Sequence, residues 1–218
     1  MEKKEFLVND DFKVIQFTSG KLNQNCFVVK SLKTAEIVLI DPGANPENII
    51  EIIDNEKGIL IYVLLTHAHY DHVGAVHEIV ENYKLNYYIH KDDLKLIKRA
   101  ALYSISMENR DIIFSDKYLH YEEKNLSWGD STIEIFHVPG HTPGSVAIKI
   151  DQLLFSGDLI LPKIKDATKL PGRNESLLEA SINQLLSNSD SSSLFFLGHG
   201  LPLKQTEIKH LLQINTTL

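Results

Sequence analysis

The sequence predicts a mixed α+β protein, because two kinds of hydrophobic periodicity recur along the chain. Alternating or continuous apolar runs, bounded by Gly, Pro, Asn or Asp, predict strands in both halves, including residues 12–17, 36–40 and 59–65. Apolar residues at helical spacing follow over 73–80 and 175–186. Since each half gives several strands and then a helix, we expect two sheets packed face to face with helices outside.

The first predicted strands, 12–17, 26–30 and 36–40, are separated by turns with no helix between them. This arrangement predicts hairpins and an antiparallel start to the first sheet. Asn45 and Pro46 then match the N-cap and first position of a helix. A further helix is expected over 92–101, whereas 103–121 has weak periodicity and is either a flap over the substrate or a plain surface connection.

The length and composition of the chain limit which architectures and which kinds of partner are possible. A chain of 218 residues with 43% hydrophobic content is long enough for one sizeable core, so we expect a single domain over 1–218. The net charge of -7 argues against a nucleic-acid-binding surface. No apolar run approaches the ~20 residues that cross a bilayer, and the N-terminus lacks the apolar centre of a secretion signal. We therefore expect a cytoplasmic protein with a small-molecule substrate and no membrane or nucleic-acid partner.

Cys26 is the single cysteine of the chain. An intramolecular disulfide and a Cys-rich zinc site are therefore excluded, so that any metal must be held by nitrogen and oxygen ligands. Cys26 lies in the apolar strand 26–30, where a buried structural thiol is expected rather than a nucleophile.

The segment His67-Ala68-His69-Tyr70-Asp71-His72 follows directly on the apolar strand 59–65. Side chains alternate along an extended chain, so His67 and His69 point the same way and can chelate one ion. Asp71 and His72, turned by the loop, can face a second ion. The alternative is a loop that is merely polar, but four ligand residues in this order after a buried strand form a demanding pattern.

Further candidate ligands recur at three later turns, each of which follows an apolar strand. His141 lies in the rigid turn 139–145, Asp158 ends a strand, and His199 lies between two glycines. With the first segment these make five histidines and two aspartates, enough for two divalent metal ions. Imidazole and carboxylate ligands suit zinc, our first expectation, and leave iron or manganese open.

The His-x-His-x-Asp-His segment resembles the signature of the metallo-β-lactamase-fold hydrolases, and the chain is most similar to the glyoxalase II-like group of thioesterases. The similarity rests on residues 25–27, 41–43, 139–145, 156–158 and 171–173. The resemblance implies a four-layer αβ/βα sandwich with a metal site at one edge. It assigns His67, His69 and His141 to the first ion, Asp71, His72 and His199 to the second, and Asp158 to a bridge between them.

The function that the resemblance implies is hydrolysis of a thioester or ester by a metal-bound hydroxide. Asp71 would then be a metal ligand and also the catalytic residue, because it accepts a hydrogen bond from the attacking oxygen. Three alternatives stay open: cleavage of a lactone or another carbonyl compound, oxidation of a persulfide at a single iron, and a metal-stabilised binding domain. The complete ligand set disfavours the binding domain.

Several residues around the ligands have two possible roles. Asp41 either orients a metal-bound histidine or only shapes the turn before Pro42. Lys163, Lys165 and Arg173 either hold an anionic substrate or are solvated loop cations. The sequence also departs from the glyoxalase II pattern: only 19 residues follow His199, too few for the helical domain that contributes to glutathione binding, and Asn174 stands where an aspartate usually follows the arginine. No role is evident for segment 159–170.

Overall fold

The strands form two mixed sheets in the computed structural model of the chain, which describes residues 3–121, 125–161 and 172–215. The first sheet contains, in spatial order, β1 (Lys3–Val8), β2 (Phe12–Ser19), β3 (Gln24–Ser31), β4 (Glu36–Ile40), β5 (Ile59–Leu64), β6 (Tyr87–Ile89) and β7 (Tyr118–His120). Strands β1 to β4 pair antiparallel, which confirms the predicted hairpins, and β4 to β7 pair parallel.

The second sheet contains β8 (Leu126–Trp128), β9 (Ser131–His137), β10 (Val146–Ile150), β11 (Leu153–Gly157), β12 (Leu194–Leu197) and β13 (Leu203–Lys204), also neighbours in that order. Its pairs are antiparallel except for β11 and β12, which run parallel. The helices are α1 (Pro46–Asn55), α2 (Tyr70–Val73), α3 (Val76–Tyr83), α4 (Leu94–Ile97), α5 (Ala100–Glu108), α6 (Glu175–Ser187) and α7 (Gln205–Asn215).

Three apolar clusters define four layers. The first lies between the first sheet and helices α1, α3, α4 and α5, and the third lies between the second sheet and helices α6 and α7. The second cluster lies between the sheets and includes Phe27, Phe155 and Phe196, whose ring centroids are 5.0 to 5.5 Å apart. Alternation along the strands explains the layering, since Val28 joins the outer cluster and Val29 the inner one. The predicted αβ/βα sandwich is therefore confirmed.

Segment 103–121 contains the end of a helix and a short strand, joined by an irregular connection over 109–117. Its first part completes α5, and Tyr118–His120 forms β7, the edge strand beside β6. Its weak periodicity has a physical cause, because α5 leaves Leu102, Ile105 and Met107 exposed and β7 is only three residues long. Such short edge strands carry little sequence signal.

Two helix predictions were wrong in detail. The helix expected over 92–101 is a 3-10 turn at Lys91–Asp93 followed by α4 and the start of α5. Asn45 precedes α1 as expected, but its backbone is left-handed, with φ of 58°, and its side chain makes no capping hydrogen bond. Its carbonyl oxygen instead accepts from the N–H groups of Asn48 and Ile49. Among the described helices, none is long and apolar enough to cross a membrane.

We expect Leu153→Ala to lower the free energy of unfolding by about 2 to 5 kcal/mol, because Leu153 is fully buried between the sheets. Leu102→Ala removes the same atoms from a side chain that is 68% exposed, and its effect should stay within about 0.5 kcal/mol. Urea unfolding of the two variants measures both changes. Equal losses would contradict the layer assignment.

Candidate metal site

The candidate ligands meet at one edge of the sandwich, where the two sheets are joined by backbone hydrogen bonds. The N–H of Val146, at the start of β10, donates to the carbonyl of Thr66 beyond β5 at 2.8 Å. The N–H of Asn25 in β3 donates to the carbonyl of Gly198 beyond β12, also at 2.8 Å. These contacts bring the turns after β5, before β10, after β11 and after β12 to one place.

The first group of ligand atoms comes from His67, His69, His141 and Asp158 and lies within 4.8 Å. The Nδ1 atom of His69 is 3.1 Å from Nε2 of His67 and 2.9 Å from Nε2 of His141. Imidazole nitrogens from both sheets therefore converge on one point, as ligands of a single cation do.

The second group comes from Asp71, His72 and His199 and also lies within 4.8 Å. Oδ2 of Asp71 is 3.4 Å from Nε2 of His199 and 3.8 Å from Nε2 of His72. The other ring nitrogen of His199 lies 3.1 Å from the carbonyl oxygen of Leu22, and this contact fixes the ring orientation.

Asp158 lies between the two groups. Its Oδ2 is 3.4 Å from Nε2 of His141 and 3.6 Å from Nε2 of His199, and its Oδ1 is 3.4 Å from Nε2 of His72. One carboxylate thus faces imidazoles of both groups. The structure brings all seven of the residues predicted as ligands together, in the two sets that the resemblance implies, with Asp158 shared.

The residues present fit metal ions. Nε2 of His72 and Oδ1 of Asp158 are buried and have no hydrogen-bond partner, a costly arrangement unless a cation occupies the space between such atoms. Burial lowers the pKa of His67 well below its ordinary value and that of His141 to about 3. Their imidazoles are therefore neutral, which is the form that binds metal.

The electrostatics of the second group differ from those of the first. Burial by itself lowers the pKa of His72, but the carboxylates of Asp158, Asp71 and Asp41 together raise it well above its ordinary value. Burial by itself raises the pKa of Asp158, but His72, His199 and His141 together lower it well below its ordinary value. The second group is thus rich in negative charge, which favours a divalent cation.

Asp41 contacts the site directly from the turn after β4. Its Oδ2 lies 2.9 Å from Nδ1 of His72 and accepts from the hydroxyl of Thr66 at 2.6 Å, while its Oδ1 accepts from the N–H of Thr66 at 2.7 Å. With Asp41 accepting at Nδ1, Nε2 of His72 is left to face the ligand group. Of the two readings of Asp41, this geometry favours the orientation of a ligand.

Two glycines let backbone segments approach the ligands closely. A Cβ atom at Gly198 would lie 2.0 Å from Oδ1 of Asp158, and one at Gly43 would lie 1.8 Å from the carbonyl oxygen of Asp71. Neither position has room for a side chain.

Asp93 is a site residue that the sequence analysis missed. Its buried carboxylate accepts from the N–H of Ala68 at 2.9 Å, the hydroxyl of Thr142 at 2.8 Å and the N–H of Gly144 at 2.7 Å. It therefore joins the loop that carries His67 and His69 to the turn that carries His141. A helix-start aspartate has no distinguishing signal in one sequence, because its partners are 25 to 51 residues away.

Side-chain alternation along the strand predicts that His137 points with Ile133 and Ile135 toward the packed interior. This prediction is wrong, because His137 lies at the exposed end of β9. Its Nε2 lies 2.9 Å from the carbonyl oxygen of Pro143, and its ring stacks on that of His90 at 4.0 Å and 13°. With Asp92 these two form a further group of close ligand atoms. However, lone pairs lie in the ring planes, and two parallel rings do not aim theirs at one ion.

The remaining predicted residues divide into three cases. Cys26 is buried and burial raises the pKa of its thiol well above its ordinary value, so it is an unreactive core residue. Lys163 and Lys165 lie outside the described residues. Arg173 is half-buried, and its Nε is buried without a hydrogen-bond partner among the described residues.

Comparisons with known proteins agree with this geometry. The probable metallo-hydrolase YqgX of Bacillus subtilis is 30% identical over 83% of this chain and 87% of its own length. The hydroxyacylglutathione hydrolase GloC of Haemophilus influenzae is 28% identical over 81% of this chain and 85% of its own length. The crystal structure of TTHA1623 in a di-iron-bound form is 33% identical, covers 88% of this chain and 94% of its own, and superposes with a TM-score of 0.78.

The two-sheet sandwich with histidines and aspartates at one edge defines the class as a metal-dependent hydrolase fold. The family model for the metallo-beta-lactamase superfamily matches residues 19–199, and the chain belongs to that superfamily.

We expect Asp93→Asn to weaken metal binding by about 10- to 100-fold, because an amide cannot accept from all three donors that now bind the carboxylate. Asp92→Asn changes the exposed neighbouring residue in the same way and should leave metal affinity unchanged. Titration of the metal-free protein with zinc measures both. Equal affinities in the two variants would show that Asp93 does not support the site.

Proposed function

We propose that this protein is a hydrolase that cleaves a thioester or ester with the help of two divalent cations, with zinc as the first expectation. The observation that carries the proposal is the pair of ligand groups sharing Asp158, one built from His67, His69 and His141 and the other from Asp71, His72 and His199. A site that only stabilised the fold would not need a second group facing the first.

When bound, such cations lower the pKa of a water molecule toward neutrality and stabilise the negative charge that develops on a carbonyl oxygen. The protein supplies the rest. His67, His72 and His141 are buried, which excludes bulk water from the inner side, while His69 and His199 are partly exposed and mark the side open to substrate.

Asp71 has a position suited to both of its proposed tasks. Burial raises its pKa, but His72 and His199 outweigh burial and keep the carboxyl ionised. One oxygen can then bind a cation, and the carboxylate can accept a hydrogen bond from the attacking oxygen and orient it toward the carbonyl carbon. No side-chain nucleophile is required by this scheme.

The thioester class is supported by the similarity to the enzyme named hydroxyacylglutathione hydrolase, although the identity is only 28%. Asn174 replaces the usual aspartate after Arg173, so we do not carry the glutathione part of the substrate over to this chain. The proposal is therefore a small-molecule thioester or ester, and lactones remain the nearest alternative in the same reaction class.

A mononuclear iron oxygenase that oxidises a persulfide is the competing function on this scaffold. It needs one set of ligands only. The ligand set alone does not separate the two functions, so the number of metal ions per chain and oxygen uptake distinguish them.

Elemental analysis of the purified protein, followed by a panel of thioesters, esters, lactones and β-lactams, tests the proposal. We expect about two metal ions per chain and turnover of a thioester such as S-lactoylglutathione or a simpler S-acyl compound. One iron per chain with oxygen uptake and no hydrolysis would refute the proposal in favour of the oxygenase.

We expect Asp71→Asn to reduce kcat/KM by about 10²- to 10⁴-fold, because the carboxylate that orients the attacking oxygen is lost. His69→Ala should abolish turnover by removing a ligand of the first ion. His210→Ala deletes an exposed imidazole on α7 and serves as the matched control, with full activity expected. Circular dichroism establishes that each variant is folded, and unchanged activity of Asp71→Asn would refute its assigned role.

A further inference from the structure

The segment directly after helix α5 contacts the turn that carries Asp41. Nη1 of Arg110 donates to the carbonyl oxygen of Gly43 at 3.1 Å. A Cβ atom at Gly74, directly after α2, would lie 2.5 Å from Nη2 of Arg110 and 2.6 Å from that same carbonyl oxygen. The guanidinium therefore packs against the backbone at the point where the Asp41 turn meets α2, the helix that carries two ligands of the second group.

Arg110 is held in this position by a buried partner. Its Nε lies 3.7 Å from Oε2 of Glu108, the last residue of α5, and the two side chains are 26% and 5% exposed. The attraction in such a pair is screened less than in a pair on the surface, so it keeps the guanidinium near Glu108. Removing one partner would leave the other charge buried and unpaired, which is costly.

The contact with the turn bears on the orientation of His72. The N–H of Ala75, just beyond α2, donates to the carbonyl oxygen of Pro42 at 3.0 Å. Arg110 binds the next carbonyl oxygen of the same turn. The carboxylate at the start of the turn, that of Asp41, places Oδ2 at 2.9 Å from Nδ1 of His72. Arg110 therefore helps to fix the carboxylate that orients this ligand.

The end of α5 also supports the loop that orients His199. Nζ of Lys21 donates to the carbonyl oxygen of Glu108 at 2.8 Å. The carbonyl oxygen of the next residue in that loop, Leu22, lies 3.1 Å from Nδ1 of His199. Glu108 and the residue two positions further along thus contact both segments that orient histidines of the second group.

The first group of ligands has a different support. Asp93 joins the two segments that carry its histidines. Among the described residues, no hydrogen bond or ion pair links Arg110 or Glu108 to a ligand of that group. The two groups are therefore held by separate sets of buried contacts.

We propose that Arg110, held by Glu108, is a positioning residue for the second group of ligands, and that Asp93 has the same task for the first group alone. The inference rests on the proposed site for two cations. It adds that each cation has a support of its own, so that one site can be weakened while the other keeps its affinity.

Zinc titration of the metal-free protein in two backgrounds tests this separation. His69→Ala removes a ligand of the first group and leaves the second site, whereas His199→Ala removes a ligand of the second group and leaves the first site. We expect Arg110→Gln to lower zinc affinity by about 10- to 100-fold in the His69→Ala background and by less than about 3-fold in the His199→Ala background. Asp93→Asn should show the reverse.

Three variants control the titration. Arg110→Lys keeps the charge beside Glu108 but not the planar guanidinium, so its loss should be smaller than that of Arg110→Gln. Arg99→Gln changes an exposed arginine and should leave both affinities unchanged. If Arg110→Gln does not fold, the double variant Glu108→Gln/Arg110→Gln takes its place, because it leaves no buried charge unpaired.

Two results would overturn the proposal. Equal losses in the two backgrounds would show that Arg110 only stabilises the fold as a whole. An unchanged affinity of Arg110→Gln in the His69→Ala background would show that it does not support the second site.

Amide hydrogen exchange of the metal-free protein judges the positioning separately from metal binding and hydrolysis. The N–H of Ala75 donates to Pro42, and that of Ala68 donates to Asp93. In Arg110→Gln we expect exchange at Ala75 to be at least about 10-fold faster and exchange at Ala68 to keep its wild-type rate. A wild-type protein that binds one metal ion, or hydrolyses none of the panel, overturns the proposed function and leaves this comparison valid. Unchanged exchange at Ala75 contradicts the role of Arg110.

Discussion

The site depends on the seam where the two sheets meet. Two backbone hydrogen bonds, from Val146 to Thr66 and from Asn25 to Gly198, join the sheets at the edge that carries the ligands. The side chain of Asn25 adds bonds to the carbonyl oxygens of Leu197 and Gly200. Each ligand group contains residues from both sheets, so a shift of one sheet against the other would separate both groups.

Rigid support around the ligands follows from this constraint. Asp41 and Asp93 each accept three hydrogen bonds or close polar contacts, and each joins segments that are far apart in the chain. Gly43 and Gly198 allow main chain to pass directly beside Asp71 and Asp158. The ligands are therefore held by fixed backbone and buried carboxylates, so that little reorganisation is needed when the site is used.

Local patterns in the sequence were sufficient to predict the features that depend on residues close together in the chain. The order of His67, His69, Asp71 and His72 after a buried strand indicated a metal site, and the run of turns before Asp41 indicated hairpins. Asp93 was missed because its role arises from contacts with residues up to 51 positions away. Strand β7 was missed because three residues at a sheet edge give no clear period.

His137 and Arg173 show a second limit of sequence reasoning. Period-two alternation places His137 on the same face as Ile133 but does not show that the end of β9 extends beyond the packed layer. The sequence left open whether Arg173 contacts substrate or is a solvated loop cation, and it did not indicate that this side chain is half-buried. Both outcomes were decided by the packing of distant elements.

Each ligand group contains residues from both sheets and therefore forms only when the chain folds. The free energy of cation binding is thus added to the free energy that stabilises the fold. A cation that binds the folded chain and not the unfolded chain stabilises it by RT ln(1 + [M]/Kd), about 2.7 kcal/mol for each site at a hundredfold excess of free metal over Kd. That contribution is comparable with a large part of the stability of an ordinary domain. The lifetime of the protein against proteases would then rise and fall with the supply of free metal in its surroundings, independently of any substrate.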